Sequence, residues 1–597
     1  MANFHLFKEL KRRNVLRAAA LYAGAVWALS QGIAQLGSFV GVPGWAVRWF
    51  IVACVIGFPF FMAFAWFFEF TPSGLKRESE IDPADSIAHS TGRKLNYWIF
   101  GVMALAIVLL LTNQFVLHHG VNEQAAIIAP PNSIAVLPLI NESGDPKQQY
   151  FSDGLSEDLI TALSQFAGLK VISRDSSFRF RNSPESSAEI GEKLGVAHLL
   201  EGSVQRDASE VRISAELVNA ADGSTLWSQS YDRPYNDLFA LQDVVTKSVA
   251  DALKAKLLAA NGAVVQSDRP PSGNLAAYND FLRGKFYDQT GTEAGMRQAV
   301  SQFNKATQLD PNYAAAYAAE ADDWGGIAAT YLTTAADQQH AYAEAHRDAA
   351  TALRLDPDLA AAHEAREGLM VSVDFDWSGA LAEAQRAMQL DPGSTGAKFN
   401  LGGIQARLGH VEAAVELDQQ ALTSAPLNAL GYFGLGRKLI GLGQLDDAQA
   451  ALRKSIALAP GASRPYTYLA LISILRGDAA AALAAAKQEP AGYWHDFAVA
   501  LALQVSPDRA AADAALIKNM IAEYSAGASY QIAEIYALRR QPDEMFKWLE
   551  QARINRDAGI ELMLFDPLIL RYQHDPRFAA FCKKVGLPTT TDAKAMP

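Results

Sequence analysis

A proline that recurs at a nearly constant interval limits the fold more than any other feature of this 597-residue chain. It appears at Pro311, Pro357, Pro392, Pro426 and Pro460, at intervals of 46, 35, 34 and 34 residues. A unit of this length cannot bury its own apolar face, so consecutive units are expected to stack into one solenoid. The longest interval predicts one enlarged unit around residues 324–339.

Two units show the pattern inside the repeat. In residues 395–428, Leu401 and Gly402 lie in a predicted first helix, and Ala414 and Ala421 lie in a predicted second helix. Small residues let two helices approach closely, and the proline stops the second helix. The spacing and residue types resemble tetratricopeptide repeats, which implies an all-α solenoid over residues 275–587, followed by a tail at 588–597.

The family register indicates a candidate binding surface. Carried onto these units, it places six residues on the concave face: Phe399, Arg407, Phe433, Arg437, Arg464 and Thr467. Arginine forks pair well with carboxylates, so an acidic or carboxylate-ended peptide is the predicted ligand. The alternative is an ordinary solvated helix face.

A different pattern precedes the repeats. Between linkers at 119–132 and 261–274, residues 133–260 show two strand–helix units and then three strands, the last of which alternates in period two. This order predicts a small α/β domain. The strings SIAVLPLINESGDPKQQYFSDGLSEDLITALS, VISRDSSFRF and IGEKLGVAHLLEGSVQR resemble the TolB amino-terminal-like domain of bacterial multidomain proteins. That resemblance implies an accessory role in the envelope or in signalling and transfers no catalytic residue.

Three acidic residues of the α/β domain are the strongest candidates for a catalytic group. Asp153, Glu157 and Asp158 are interpreted as partners of a helix amino terminus rather than as an acid–base pair. Nucleotide-binding, zinc-protease and nucleophile-elbow motifs do not occur in the sequence. We therefore expect no enzyme activity, no cofactor and no metal site.

The first 118 residues contain three apolar runs, at 15–36, 47–70 and 97–117, and each is long enough to span a bilayer. Lys and Arg precede the first run and separate the second from the third, which predicts a cytoplasmic amino terminus and periplasmic soluble domains. The predicted fold class is thus multidomain: three transmembrane helices, a small α/β domain and a repeat solenoid. The predicted localisation is the bacterial inner membrane.

Charge favours protein partners. Residues 1–118 carry a net charge of +4 and the rest carries −16, and an acidic soluble part is a poor match for nucleic acid. The sequence predicts a membrane-anchored scaffold that binds proteins or peptides and contacts lipid through its helices. Alternatives are a receptor that relays periplasmic binding to a cytoplasmic partner, and an enzyme such as a nucleotide cyclase. A homo-oligomer is left open.

Overall fold

The computed structural model describes residues 129–207, 209–253, 256–257, 267–332 and 334–594, together with short stretches and single residues between 19 and 77. The chain divides into two compact units, Met1–Ala126 and Ile127–Pro597. The second unit contains both the sheet region and the helical repeats.

The described backbone of the first unit includes a β-hairpin. Strand β1 (Phe68–Thr71) pairs antiparallel with β2 (Gly74–Arg77). The end of the predicted span 47–70 is therefore extended from residue 68 onward rather than helical. Most other residues of the spans 15–36 and 47–70, and all of 97–117, lie outside the described residues.

The prediction of three transmembrane helices is wrong. Within the part of the chain that the structure describes, no helix is long and apolar enough to cross a membrane. An apolar run predicts a span only when it forms one continuous helix, and here the backbone at residues 68–71 forms a strand. The fold class is corrected to a mostly helical chain with a small sheet region. The inner-membrane localisation, the periplasmic orientation and the lipid contact depended on those spans and are withdrawn with them.

The second unit begins with a mixed β-sheet whose strands lie in the order β6 (Lys170–Val171), β3 (Ser133–Val136), β7 (His198–Arg206), β8 (Glu210–Asn219) and β9 (Thr225–Pro234), with β4 (Ile140–Asn141) also paired to β7. Strand β3 is parallel to β6 and β7, whereas β7, β8 and β9 form an antiparallel meander. Strands β5 (Phe166–Ala167) and β10 (Lys256–Leu257) pair with each other. The predicted order of strands and helices is confirmed.

Helices cover both faces of this sheet. They are α1 (Gln149–Ser164), α2 (Arg174–Ser177), α3 (Ser187–Leu194) and α4 (Leu238–Ala252). Because strand side chains alternate, Ile134 and Val136 of β3 pack in one apolar cluster with α1 and α4. Ala135 packs in another cluster with Ile190 and Leu194 of α3. Strand β3 is therefore buried on both faces, which explains its continuous apolar sequence.

Paired helices form the rest of the second unit. They are α5 (Leu275–Asp288), α6 (Glu293–Leu309), α7 (Ala314–Thr330), α8 (Ala335–Leu355), α9 (Ala360–Leu369), α10 (Trp377–Leu390), α11 (Thr395–Arg407), α12 (Val411–Ser424), α13 (Ala429–Gly441), α14 (Leu445–Leu458), α15 (Pro465–Leu475), α16 (Ala479–Ala486), α17 (Tyr493–Leu503), α18 (Arg509–Ala514), α19 (Ala522–Tyr524), α20 (Ser529–Leu538), α21 (Pro542–Asn555), α22 (Pro567–Leu570) and α23 (Pro576–Lys584). Consecutive helices such as α11 and α12, or α13 and α14, pack against each other. The long helices α7 and α8 account for the 46-residue interval.

Small residues at the predicted positions make these helix pairs close. Ala414 and Ala448 are fully buried. A side chain added at Gly436 would place its Cβ 2.8 Å from Leu452 Cγ, so only glycine allows this approach of α13 to α14. The predicted repeat register is therefore confirmed for these units.

The α/β region is joined to the repeats by polar contacts. Gln242 Nε2 donates to Asp158 Oδ2 at 2.7 Å and to Tyr278 Oη at 3.0 Å, and Tyr278 also donates to Asp158. Further along the array, the backbone nitrogen of Ser173 donates to the Ser424 carbonyl at 2.7 Å. The sheet region thus contacts both the first helix pair and the turn after α12.

Candidate peptide-binding surface

The six predicted residues lie on, or directly precede, three consecutive first helices. Phe399 and Arg407 are on α11, Phe433 and Arg437 are on α13, and Thr467 is on α15. Arg464 directly precedes α15. We call the side of α7, α9, α11, α13 and α15 that carries these residues and their register equivalents the first-helix face.

Arg437 is enclosed by aromatic rings. Its guanidinium carbon lies 5.4 Å from the Phe433 ring centre, 5.5 Å from that of Tyr468 and 5.7 Å from that of Phe565. Its Nε is buried and has no hydrogen-bond partner among the described residues. Such stacking stabilises a cation in place of hydrogen bonds. The structure therefore brings Phe433 and Arg437 together, as predicted, but Phe565 also covers them.

Two buried carboxyl groups share the charge environment of Arg437. Burial and the neighbouring Asp566 raise the pKa of Glu534 well above its ordinary value, whereas Arg437 opposes the rise. Burial raises the pKa of Asp566 to about 6. Burial and Asp566 thus favour the protonated form of Glu534, and the positive charge of Arg437 favours the charged form.

Arg464 and Thr467 share one buried carboxylate, that of Glu489. The backbone nitrogen of Thr467 donates to Glu489 Oε2 at 2.9 Å and its hydroxyl donates to the same oxygen at 3.1 Å. The backbone nitrogen of Arg464 donates to Glu489 Oε1. Glu489 thus caps the amino terminus of α15. The Arg464 guanidinium lies 5.0 Å from the Trp494 ring centre and remains exposed.

Arg407 is paired within the chain. Its Nε and Nη2 donate to Glu561 Oε2 at 2.9 and 2.7 Å, and both side chains are about a fifth exposed. Glu561 lies in a 3₁₀ turn, Ala558–Leu562, far from Arg407 in sequence. Arg407 is therefore paired inside the chain, and its partner lies outside its own repeat.

Apolar groups on this face differ in exposure. Phe399 is half-buried, and a Cβ at Gly431 would lie 2.5 Å from its ring, so α11 and α13 approach closely there. Leu430, the second residue of α13, is 78% exposed. It follows Pro426 by four residues, as Arg464 follows Pro460, so it occupies an equivalent position on the first-helix face.

Toward the amino-terminal repeats the face becomes acidic. Glu364 follows Pro357 by seven residues, as Phe399 follows Pro392, and Asp322 follows Pro311 by eleven, as Arg437 follows Pro426. We call Asp322, Glu364 and Glu367 the acidic end, and Arg407, Arg437 and Arg464 the arginine end. The acidic end was not among the predicted site residues, although extending the same register to earlier units would have found two of its members.

Burial and mutual repulsion raise the pKa values of the carboxyl groups at the acidic end. Burial, with Asp391 and Asp322 nearby, raises the pKa of Glu364 to about 7. Burial raises the pKa of Glu367 to about 7 as well, while Arg407 opposes that rise. Asp322 is exposed to solvent, yet the surrounding protein and Asp288 raise its pKa. These carboxyl groups are poorly compensated within the fold, and a cation placed beside them would be stabilised.

The acidic residues of the α/β region have structural partners, although not the predicted ones. Helix α1 begins at Gln149, so Asp153, Glu157 and Asp158 lie in its interior, and the helix-terminus interpretation is wrong. The residues before Tyr150 already form a 3₁₀ turn that extends the helix backward. Asp153 pairs with Arg181 at 2.7 Å and Glu157 pairs with Lys285 at 2.7 Å.

Burial raises the pKa of Asp158 to about 7, and Asp158 accepts the contacts from Gln242 and Tyr278. In the ranges that the structure describes, no group of three or more His, Cys, Asp or Glu side chains is arranged to hold a metal ion.

Comparisons with known proteins concern two parts of the chain. Residues 131–248 match the family model of the second domain of HilA/YgeH-like transcriptional regulators. A curated relative, Putative adenylate cyclase 3 of Rhizobium meliloti (strain 1021), is 37% identical over 213 residues, which are 34% of this chain and 36% of the relative. The chain thus spans about a third of the length of that relative. The TolB-like resemblance stays a prediction.

Solved structures similar to this chain include tetratricopeptide proteins. YrrB, described as having an unusual peptide-binding site, is 18% identical with a TM-score of 0.26, over 36% of this chain and 96% of YrrB. PilF of Pseudomonas aeruginosa is 16% identical with a TM-score of 0.30, over 41% of this chain and 98% of PilF. PilW is 19% identical with a TM-score of 0.30, over 36% of this chain and 92% of PilW. At these scores the similarity carries no functional argument, and the repeat assignment depends on the helix pairs described above.

Proposed function

We propose that this protein is a protein-interaction scaffold whose first-helix face binds extended segments of partner proteins. The observation that carries the proposal is the division of this face into an acidic end and an arginine end. Stacked first helices present such residues in a row, which suits an extended segment better than a small molecule. Leu430, nearly fully exposed on the same face, adds an apolar contact point.

The charge pattern supports a specific partner chemistry. At the arginine end, Arg407 is paired with Glu561, and Arg437 lies among aromatic rings and interacts with Glu534. Arg464 is exposed and is therefore the most accessible of the three cations for the predicted acidic peptide. At the acidic end, Asp322 is exposed. A partner segment with Lys or Arg near Asp322 and a carboxylate near Arg464 would complement both ends. Its binding should weaken as salt rises.

Site-specific photo-crosslinking tests the surface. A crosslinking amino acid is placed at Leu430 and, as a matched control, at Ile554, which is 60% exposed on the second helix α21. We expect discrete crosslinked partners from position 430 that decrease with Asp322→Lys and with high salt, and none from position 554. Equal crosslinking from both positions, or no effect of Asp322→Lys, would contradict binding on the first-helix face.

We also propose that the chain is not itself an enzyme, and that the α/β region serves as a regulatory module. Glu157 and Asp158 of that region contact Lys285 and Tyr278 of the repeats, which supports a structural role for them. The region is similar to a domain of HilA/YgeH-like transcriptional regulators, which favours a regulatory role. We expect no cyclic AMP when the purified full chain is incubated with ATP and Mg²⁺ or Mn²⁺. Formation of cyclic AMP that is lost with Asp158→Asn would overturn this proposal.

A further inference from the structure

The tail of the chain lies across the turns of two repeats. The backbone nitrogen of Asp592 donates to the Gly409 carbonyl at 3.0 Å, and that of Lys594 donates to the Gly441 carbonyl at 2.7 Å. The Thr591 hydroxyl donates to the Leu564 carbonyl at 2.6 Å. These contacts hold residues 591–594 along the edge of the array, where each first helix turns into its second helix.

The carboxylate of Asp592 provides the cap that helix α12 lacks. Its two oxygens accept from the backbone nitrogens of Val411 at 2.7 Å and Glu412 at 3.2 Å, the first two residues of the helix. The residue that precedes α12, His410, makes no capping contact with its side chain. The free amino-terminal N–H groups of a 14-residue helix favour an anion at this place.

The next two repeats differ in whether the tail covers their turns. Helix α14 also begins after a residue without a side-chain cap, Gln444, whereas α16 is capped by its own Asp478. The tail covers the turn glycines Gly409 and Gly443, but nothing lies within 4 Å of a Cβ placed at the equivalent Gly477. Among these three turns, the tail therefore covers those whose helices lack their own cap.

The shape of the turn also fits a main chain. Gly409 has φ +85°, and a Cβ there would lie 2.5 Å from the Thr590 carbonyl oxygen, so no other residue permits this contact. Ala593 is buried against the repeats, while Thr590 and Asp592 remain exposed on their outer side. The tail is held by a few hydrogen bonds and one small buried side chain. Such a segment can leave without unpacking the core.

We infer that the turns around Gly409 and Gly441 form a docking site for an extended partner segment that carries a Thr–Asp or Ser–Asp pair followed by a small residue. The chain's own tail occupies this site and competes with the partner. The hydroxyl bonds the Leu564 carbonyl, the carboxylate caps α12, and the small residue fills the place of Ala593. This inference rests on the proposed scaffold function and adds a docking site at the turn end of the first helices, where α11 and α13 end.

A peptide with the sequence of residues 586–597 tests the site, since it is the occupant that the structure shows. Fluorescence anisotropy measures its binding to the full chain and to a variant that lacks residues 589–597. A linked segment has an effective concentration of about millimolar, so the intact tail should weaken peptide binding at least tenfold. The same peptide with Asp592→Ala should bind the shortened variant at least tenfold more weakly. Circular dichroism first establishes that the variant is folded.

A change in the repeat itself provides the second readout. Val411→Pro removes one N–H that binds Asp592, at the first helical position where proline is well tolerated. It should weaken peptide binding to the shortened variant severalfold without loss of helix content. If the folded, shortened variant does not bind the peptide, or binds the Asp592→Ala peptide equally well, the tail is only a structural cap. Crosslinking at Leu430 would then still report separately on the scaffold function.

Discussion

The charged side chains at the two ends of the first-helix face differ in how far neighbouring groups compensate them. At the arginine end, each cation has aromatic rings or a carboxylate beside it, and residues outside its own helix supply most of them. At the acidic end, Glu364 and Glu367 have few cations nearby, and their pKa values rise to about 7. The same repeat geometry thus gives one end that is satisfied within the fold and one that is not. The unsatisfied end is the one that a partner stabilises most.

The largest expected effect on stability concerns the buried ion pair of Lys438 on α13 and Asp418 on α12, beside the arginine end. Lys438 Nζ contacts both carboxylate oxygens of Asp418, at 2.8 and 2.6 Å, and Asp418 is fully buried. Lys438→Met leaves that carboxylate without its cation and should lower the free energy of unfolding by about 3–5 kcal/mol. Urea denaturation at pH 7 measures this.

The companion variant Lys438→Met/Asp418→Leu removes both charges and should recover most of the stability, because a buried pair is often replaceable by apolar groups. A single variant as stable as the wild type would show that Asp418 is neutral or solvated in the fold, and the contrast between the two ends would fail.

An intermediate effect, this time a gain in stability, is expected at the acidic end. The ordinary pKa of Glu364 is 4.5, and in the fold it is about 7. Between these values the folded state binds more protons than the unfolded state, so stability is lost as the pH rises through this range. Glu364→Gln removes this loss and should stabilise the protein by about 1–2 kcal/mol at pH 8 but not at pH 4.5.

Thermal unfolding across pH 4.5 to 8 provides the measurement for Glu364→Gln, and Glu416→Gln on the exposed side of α12 is the matched control. Parallel pH profiles for Glu364→Gln and the wild type would mean that Glu364 is not destabilised by its surroundings.

The smallest effect is expected where the two ends meet. Arg407 pairs with Glu561 and also lowers the pKa of Glu367. Because the pair is partly exposed, Arg407→Ala should cost about 1 kcal/mol or less at low salt. Half-molar salt should remove most of the difference, and the pKa of Glu367 should rise further. A loss of several kcal/mol that salt leaves unchanged would show that Arg407 belongs to the core, which would make it unsuitable for partner binding.

Much of the fold was predictable from local patterns. The 34-residue proline interval and the small residues at Gly436 and Ala448 determine how two helices pack, and this depends only on neighbouring units. The continuous apolar sequence of β3 and the turn residues between β7, β8 and β9 likewise act over short distances. The membrane prediction failed because apolar composition over residues 47–70 does not by itself determine whether the backbone forms one helix, and it ends in a strand.

The sequence by itself determined the repeat register, and with it the residues of the first-helix face. Only the tertiary structure decided which of those residues have partners. Glu489, Glu561 and Asp592 act at points 22 to 181 residues away along the chain. The curvature of the array and the path of the tail bring these carboxylates to their partners. No local pattern encodes such contacts, because each depends on the summed geometry of several stacked units.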